Sequence, residues 1–298
     1  MNGRIRRSDV NVDGRPDLYV ANDEDPNRLY LNLPQPGGLG FRLVESARSE
    51  GVADKNAGMG IASGDYSGDG LPDLFVSNSR GQTHAVYRHR PVAGQGFTDA
   101  RSDFAPVFGK NFTGWGVSWV DLNRDGNLDL VLTNGGIPVT NLVKDAGAVQ
   151  VLDNLSAQGQ DGKFGAADGL LGLRRGPLVN GRGLAAADFN NDGNIDIAIN
   201  TIGGPLLLLE NTNTSGHWLE VALDGFHPGA LVTAVLPNGR RLVREVHAGS
   251  SYLSSEDPRA HFGLGDATKV AELIVRYPGG RVSRLTDVVA NQIVHVKP

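Results

Sequence analysis

The sequence predicts an all-β protein made of calcium-binding β-propeller blades followed by a small antiparallel β-sandwich domain. Three observations predict this class. A nine-residue motif rich in aspartate occurs four times, beginning at Asp9, Asp65, Asp121 and Asp188. Short apolar runs bounded by glycine flank the copies, whereas periodic helical patterns are scarce. Glycine supplies 41 of the 298 residues, which suits a turn-rich chain.

Each repeat is predicted to contain several short strands around one motif. Three copies have Gly-x-Gly and an apolar run before the motif, beginning at Gly58, Gly114 and Gly181. Apolar runs follow each motif at 18–22, 74–78, 130–134 and 197–200, and again at 28–32, 85–89, 149–154 and 206–211. Further strands are predicted from Phe41, Phe97 and Phe164. Short strands in fours, repeated every 56 to 67 residues, are typical of propeller blades that stack on one another.

The first repeat departs from the others because no Gly-x-Gly strand precedes its motif. We therefore expect four repeats, truncated at the first blade, which would lack its first strand.

The pattern changes after residue 212. Strand-like runs without aspartate motifs lie at 218–223, 231–236, 241–246, 270–277, 281–285 and 292–296. Pro237-Asn238-Gly239 between two of them is a strong hairpin signal. The polar stretch 211–216 has no apolar pattern. The sequence thus predicts propeller repeats at 1–212 and a β domain at 213–298.

The aspartate motif has the chemistry of a loop that binds a hard cation. Side chains at positions 1, 3 and 5 converge, the glycine at position 6 permits a sharp turn, position 7 offers its backbone carbonyl, and the aspartate at position 9 closes the site. The predicted ligands are Asp9, Asn11, Asp13, Arg15, Asp17, Asp65, Ser67, Asp69, Leu71, Asp73, Asp121, Asn123, Asp125, Asn127, Asp129, Asp188, Asn190, Asp192, Asn194 and Asp196.

Two alternatives compete with calcium sites. An EF-hand would need a bidentate glutamate at position 12, where the copies have Val20, Val76, Leu132 and Ile199. Plain aspartate-rich turns without metal are the second, but three crowded carboxylates in each loop would repel one another. All-oxygen ligands favour Ca²⁺ over Mg²⁺, with up to four ions, and disfavour zinc or copper. The second loop is the weakest, since Ser67 is a poorer ligand than asparagine.

Composition excludes several classes of function. The absence of cysteine removes disulfides, thiolate nucleophiles and Cys-ligated metals. A net charge of −5 argues against nucleic-acid binding. No apolar run is long enough to span a bilayer, and no apolar segment follows the basic residues near Met1, so neither a transmembrane segment nor a signal peptide is expected.

Candidate catalytic residues are few. The best nucleophile cluster is His247, Ser250, Ser251, Asp257 and His261, but no G-x-S-x-G motif surrounds either serine. We interpret it as hydrogen-bonded loop structure.

Other polar and aromatic residues have a structural interpretation too. His84 and His89 are predicted to lie on the surface, and Trp115, Trp119 and Trp218 in the core rather than stacked on sugars.

The motifs resemble known repeats. Gly-x-Gly followed by Asp-x-Asn-x-Asp-Gly-x-x-Asp resembles FG-GAP/VCBS-type repeats, which form calcium-binding propellers as in integrin α-subunits. The stretches 217–221, 244–254, 257–265 and 275–281 resemble the ASPIC/UnbV domain. Together they resemble the cartilage-acidic-protein-like family. The resemblance implies an exported or cell-surface binding module without established catalysis, usually with more blades and a signal peptide.

The function expected from the sequence is calcium-stabilised, non-catalytic binding or adhesion to a protein or glycan partner. The alternative is a secreted carbohydrate-active enzyme, a lyase or hydrolase on a propeller scaffold. Calcium loops of this kind are filled at millimolar calcium, which favours an extracellular, cell-surface or periplasmic location. The oligomeric state and the partner are not readable from the sequence.

Overall fold

The computed structural model describes residues 4–90, 92, 95–104, 110–160, 162–167, 177–247 and 249–298. Strands dominate this part of the chain. Its helices are one α-helical turn, Ala47–Glu50, and two 3-10 turns, Arg101–Asp103 and Leu155–Gln158. The prediction of an all-β fold is therefore confirmed.

Four antiparallel sheets follow one another along the first two thirds of the chain, and we call them blades 1 to 4. In each, consecutive strands lie side by side, beginning with the inner strand. Blade 1 contains Arg4–Ser8, Asp17–Ala21, Arg28–Pro34 and Phe41–Glu45; blade 2 contains Gly58–Gly64, Asp73–Asn78, Ala85–His89 and Phe97–Asp99; blade 3 contains Gly114–Val120, Asp129–Asn134, Gln150–Asn154 and Phe164–Ala166; blade 4 contains Gly181–Ala187, Asp196–Thr201 and Leu207–Leu209. A small ladder joins Gly147–Ala148 to Leu178–Val179.

The expectation that blade 1 lacks its first strand is wrong. Arg4–Ser8 is that strand, and it pairs antiparallel with Asp17–Ala21. The sequence hid it because Arg6 is buried rather than solvent-exposed. Its guanidinium donates to Ser63 Oγ (3.0 Å) and to the Gly249 carbonyl (2.6 Å), so a charged residue occupies an inward-facing position.

Neighbouring blades pack through their inner strands, and glycine permits the close approach. A Cβ at Gly60 would overlap the backbone carbonyl oxygen of Trp115 in blade 3. One at Gly116 would lie only 2.6 Å from the Cβ of Leu184 in blade 4. The second glycine of the Gly-x-Gly in blades 2 and 3 is therefore a packing requirement. Apolar side chains from adjacent blades then form shared clusters, one of them centred on Phe75 and Trp119.

The C-terminal part forms two sheets around one apolar core. The first contains Ala260–Gly265, His217–Leu223 and Gln292–Val296, and the second contains Arg241–Glu245, Leu231–Val235, Lys269–Arg276 and Val282–Val289. This arrangement agrees with a sandwich. One pair, His217–Leu223 with Gln292–Val296, is parallel, which corrects the purely antiparallel expectation. The boundary between residues 212 and 213 stays a prediction.

Two histidines predicted on the surface are buried. His84 is 5% exposed, its Nδ1 accepts a hydrogen bond from Asn78 N (2.9 Å), and burial lowers its pKa to about 4. His89 is 2% exposed and packs edge-on against Phe97. The burial of Trp115, Trp119 and Trp218 is confirmed.

Candidate metal centres

The four aspartate motifs form loops of one geometry. We call 9–17, 65–73, 121–129 and 188–196 loops 1 to 4; each joins the inner strand of its blade to the second strand. In loop 3, Asp121 accepts hydrogen bonds from Asp125 N (3.2 Å) and Gly126 N (2.9 Å), and Asp125 accepts one from Asn127 N (2.7 Å). The same pattern recurs in the other three loops. Backbone amides thus hold the carboxylates at positions 1 and 5 close together.

Position 4 of every loop is left-handed, a feature that the sequence analysis missed. The φ angles are 58° at Val12, 74° at Gly68, 61° at Arg124 and 58° at Asn191. Glycine and asparagine suit this conformation, whereas a β-branched valine is strained there. Loops 2 and 4 therefore have better residues at this position than loop 1.

The aspartate at position 9 fastens each loop to its blade. In loop 3, one oxygen of Asp129 accepts from Leu122 N at the start of the loop (3.0 Å). The other accepts from Asn154 N at the end of the third strand (2.9 Å). Asp17 and Asp196 make the corresponding pair of bonds. Asp73 accepts from His89 N and, within its loop, from Ser67 N, one residue further along than in the other loops. Asn154 and Asn211 also donate to backbone carbonyls in the loop of the preceding blade.

Burial makes several loop carboxylates resist ionisation. It raises the pKa of Asp17 and Asp121 to about 7 and that of Asp65 to about 6, and it is the largest cause in each case. At Asp121 and Asp65, the aspartate at position 5 adds to the rise. A bound cation would supply the missing counter-charge, so the donor set fits a hard divalent ion.

The fit is uneven among the loops. In loop 1, the Arg15 guanidinium pairs with the carboxylate of Asp13. In loop 2, Ser67 Oγ is buried without a hydrogen-bond partner, as is Asn194 Oδ1 in loop 4. Across the described ranges, no group of three or more His, Asp or Glu side chains is arranged as a metal cluster. The ligand assignments therefore stay predictions.

Loop 3 is also in contact with the C-terminal sandwich. Gly263 N donates to Asp121 Oδ2 (3.0 Å), and Gly265 N donates to the Arg124 carbonyl (2.8 Å). The Arg240 guanidinium donates to the Asp125 carbonyl (2.8 Å) and to the Asn127 side chain (2.6 Å).

Loop 4 is held by a second set of residues from the same domain. Arg259 donates to the Asp188 carbonyl (2.8 Å) and to Asn191 Oδ1 (2.7 Å). His261 Nε2 donates to the Gly193 carbonyl (2.9 Å), and a Cβ on Gly193 would fall within the Trp218 ring. Arg124 bridges loops 3 and 4 through the carbonyls of Asp192 and Gly193.

The segment 249–257 runs along the inner strands and contains most of the suspected nucleophile cluster. Ser251 exchanges backbone hydrogen bonds with Ile61, and its Oγ accepts from Val117 N (2.9 Å). His261 is committed to loop 4, and Asp257 pairs with Arg259. No hydrogen bond between a serine and a histidine of the cluster occurs among the described residues. The interpretation as hydrogen-bonded loop structure agrees with this geometry.

A cavity of about 110 Å³ lies between the inner strands and the sandwich. Several of its charged side chains form ion pairs or hydrogen bonds with neighbouring side chains. Arg259 Nη1 lies 2.6 Å from Glu220 Oε2, and Ser8 and Ser118 donate to Glu245 and Glu256. Burial raises the pKa of Glu220 to about 7. This polar network belongs to the interface between blades and sandwich.

The opposite end of blades 3 and 4 exposes aliphatic side chains. The loops 135–149 and 202–206 join the second and third strands there. Leu142 lies against Gly203, which brings the two loops together. Leu206 and Leu253 line one groove of about 270 Å³ with Arg182. We define the apolar end as Ile137, Leu142, Val143, Ile202, Leu206 and Leu253, all exposed.

Comparison with known families decides the assignment of the chain. Residues 9–76 and 65–132 match the FG-GAP-like repeat, and residues 224–298 match the ASPIC and UnbV domain. The chain carries FG-GAP repeats and a C-terminal ASPIC/UnbV domain. This confirms the resemblance inferred from the motifs. Neither family is described by a catalytic activity.

Curated relatives of this FG-GAP and ASPIC/UnbV chain include cartilage acidic protein 1 of Xenopus tropicalis, 26% identical over 285 residues. The mouse and human proteins of that name are also 26% identical, and all three alignments cover 89% of this chain. The chain spans only about 40% of the length of these relatives.

Similar solved structures include BBS1N in complex with ARL6DN, with a TM-score of 0.42, 14% identity, and coverage of 96% of this chain and 79% of that one. An N-acetylglucosamine-recognising lectin of Agrocybe aegerita has a TM-score of 0.36, 14% identity, and coverage of 96% and 80%. Scores this low support no further argument.

Three arginines of the C-terminal domain that bind the loops were not predicted from the sequence. Arg240, Arg244 and Arg259 each donate to a backbone carbonyl of loop 3 or loop 4. The available signal was their position in stretches that resemble the ASPIC/UnbV domain. As for membrane insertion, the described residues include no helix with the length and apolar character of a membrane span.

Proposed function

We propose that this chain is a calcium-stabilised, non-catalytic binding module whose apolar end recognises a protein partner. The proposal rests on one observation, which is that the two ends of the blades present different surfaces. At one end, the ASPIC/UnbV domain is hydrogen-bonded to loops 3 and 4, whereas the other end presents exposed aliphatic side chains. Large exposed apolar patches mark interaction sites.

The chemistry of the apolar end favours protein over glycan. Its exposed side chains are leucine, isoleucine and valine, while Trp115, the nearby indole, is buried under Arg182. Exposed Arg80, Lys110 and Lys144 lie in loops at the same end of blades 2 and 3. A partner surface with an apolar centre and an acidic rim would complement this arrangement.

Support for calcium comes from four loops with aspartate at positions 1, 5 and 9 and from burial, which raises the pKa of Asp17, Asp65 and Asp121. The relatives named for cartilage support an extracellular setting, where calcium is abundant enough to fill such loops. In this proposal the ion stiffens the blades and takes no part in chemistry.

Removing calcium should lower the melting temperature. We expect the midpoint in millimolar Ca²⁺ to exceed that in EGTA by about 10 °C, because ions that bind only the folded loops stabilise the protein by mass action. Magnesium at equal concentration is the control and should give a smaller shift. Equal midpoints with calcium and with chelator would contradict the calcium claim.

Binding can be tested on arrays of extracellular proteins and of glycans, probed with the wild type and with the double variant Leu142→Asp/Leu206→Asp. We expect calcium-dependent signals on proteins that the variant loses at least tenfold, because two aspartates disrupt an apolar centre and repel an acidic rim. Leu285→Asp, at an exposed leucine of the sandwich, is the matched control. Signals on glycans alone would support the glycan alternative, and polysaccharide breakdown in Ca²⁺ would support the enzyme alternative.

A further inference from the structure

We propose that calcium in loops 3 and 4 and docking of the ASPIC/UnbV domain are coupled, so that each strengthens the other. This rests on the calcium binding proposed above and adds a consequence for domain arrangement. The ion would act as the fastener between blades and sandwich, and its loss would release the sandwich before the blades unfold.

In loop 3, the sandwich binds mainly to backbone carbonyls at the turn. The sandwich donates hydrogen bonds to the carbonyls of Arg124, Asp125 and Gly126, the residues at positions 4 to 6. These carbonyls point toward their donors only while the loop keeps its left-handed residue and its sharp turn. A cation that draws positions 1, 3 and 5 together maintains that curl. The docking surface therefore depends on the conformation that the ion stabilises.

One carboxylate oxygen of loop 3 accepts hydrogen bonds from both the loop and the sandwich. Asp121 Oδ2 accepts hydrogen bonds from Gly126 N within the loop (2.9 Å) and from Gly263 N of the sandwich (3.0 Å). Asp121 is also the predicted ligand at position 1. Fixing this carboxylate by coordination also fixes the acceptor that the sandwich uses. The approach is so close that a Cβ on Gly263 would overlap the Asp121 carboxylate.

Loop 4 repeats this arrangement with other side chains. Arg259 donates to the carbonyl at position 1, and His261 donates to the carbonyl at position 6. The Trp218 ring lies directly over the glycine at position 6. Residues 217–298 thus contact both loops at the turn that the cation is expected to hold.

Loops 1 and 2 provide the contrast. Among the described residues, no hydrogen bond joins residues 217–298 to residues 9–17 or 65–73. Asp65 of loop 2 interacts with the Arg244 guanidinium through charge alone, so ions in loops 1 and 2 would affect the docking surface less than ions in loops 3 and 4. The coupling is therefore expected to be strongest at loops 3 and 4, which makes it testable within one molecule.

Electrostatics permits positive coupling despite the arginines. Loop 3 has three aspartates, Asp121, Asp125 and Asp129, and one arginine, Arg124, so one divalent ion would change its net charge from −2 to 0. The guanidinium of Arg240 donates to a carbonyl and an amide oxygen, so it does not compete for the carboxylates. The ion would therefore remove the net Coulomb attraction between loop and arginine without turning it into a repulsion, and the hydrogen bonds of Arg240 to neutral loop oxygens would remain.

Timed proteolysis with proteinase K, mapped by mass spectrometry, tests the inference at the exposed linker 212–216. In the wild type we expect cleavage there to accelerate about tenfold when EGTA replaces Ca²⁺. Asp125→Asn/Asp192→Asn, in loops 3 and 4, should be cleaved fast in both conditions. The matched control Asp13→Asn/Asp69→Asn, in loops 1 and 2, should keep the calcium response.

If calcium strengthens docking, docking must strengthen calcium binding by the same factor, and this can be measured without the loop variants. In titration calorimetry, Arg240→Ala/Arg259→Ala should therefore weaken calcium binding at two sites, by a factor similar to that by which calcium slows cleavage of the linker. Calcium-independent cleavage in a protein whose melting point still responds to calcium would overturn the coupling and leave the proposed function intact. Equal behaviour of the two loop double variants would also overturn it. Absence of any calcium effect on melting or cleavage would overturn both.

Discussion

Substituting Gly60 by alanine should destabilise the protein by about 3 kcal/mol, because the added Cβ overlaps a backbone atom of the neighbouring blade. The clash is with the carbonyl oxygen of Trp115, which cannot rotate away as a side chain would. Ser77 bridges the two blades at this point. Its Oγ accepts a hydrogen bond from Gly60 N (2.8 Å) and donates one to the Trp115 carbonyl (2.8 Å). Relieving the overlap would therefore break a buried hydrogen-bonded contact between blades 2 and 3.

The measurement for this prediction is urea unfolding of Gly60→Ala beside the wild type in Ca²⁺. Gly165→Ala is the matched control, since Gly165 lies in an outer strand where a Cβ would meet only the Leu155 side chain at 3.4 Å. The control should change the free energy of unfolding by less than about 0.5 kcal/mol. Equal effects of the two substitutions would show that the inner-strand approach does not limit the packing of the blades.

The blade strands were predictable because local pattern and tertiary role agree in them. Asp73–Asn78 and Ala85–His89, for example, are short β-branched or aromatic runs between glycine-rich turns, and both form as the sequence predicts. The first of these strands begins at the loop aspartate Asp73 and ends at Asn78, and the second ends at His89, whose amide donates to Asp73. These signals are local, so a single sequence contains them.

Features that depend on contacts distant in the chain were not predictable. Arg4–Ser8 has the composition of a surface segment, and only the polar environment provided by Glu245 and Gly249 makes its burial favourable. The local sequence around His84 is typical of a surface residue, but in the fold Phe75 and the Gly114 backbone enclose its ring. Ala260–Gly265 was not predicted as a strand because two glycines interrupt its alternation of apolar and polar residues. Gly263 is required for contact with loop 3, and Gly265 ends the strand.

The candidate sites divide in the same way. Positions 1, 5 and 6 of the loops follow from the motif, because their chemistry is written in residue type and spacing. The role of position 9 as a fastener did not follow, since its partners, the amides of Asn32, His89, Asn154 and Asn211, lie 15 to 25 residues away. The residues of the sandwich that dock on loops 3 and 4 lie still further away in the sequence, and no pattern within the loops predicts this contact.

The aspartates at positions 9 and 5 of loop 3 should separate structural and metal-binding roles. Asp129 is fully buried and accepts hydrogen bonds from Leu122 N and Asn154 N. Asp129→Ala leaves both buried amides without acceptors, so we expect a loss of about 3 kcal/mol in the free energy of unfolding, with calcium or with chelator. Among the described residues, the Asp125 carboxylate accepts only from Asn127 N, and Asp125 lies nearer to solvent.

Asp125→Ala should therefore be nearly neutral in chelator, because it also removes one of three repelling carboxylates, but it should reduce the stabilisation by calcium. Urea unfolding of both variants in Ca²⁺ and in EGTA completes the comparison. If Asp129→Ala is costly only in calcium, the aspartate at position 9 acts mainly as a ligand, and the blade does not need it as a fastener. If Asp125→Ala leaves the calcium stabilisation unchanged, loop 3 does not bind the ion through position 5. Different responses of two aspartates four residues apart would show that one motif serves both the fold and the metal.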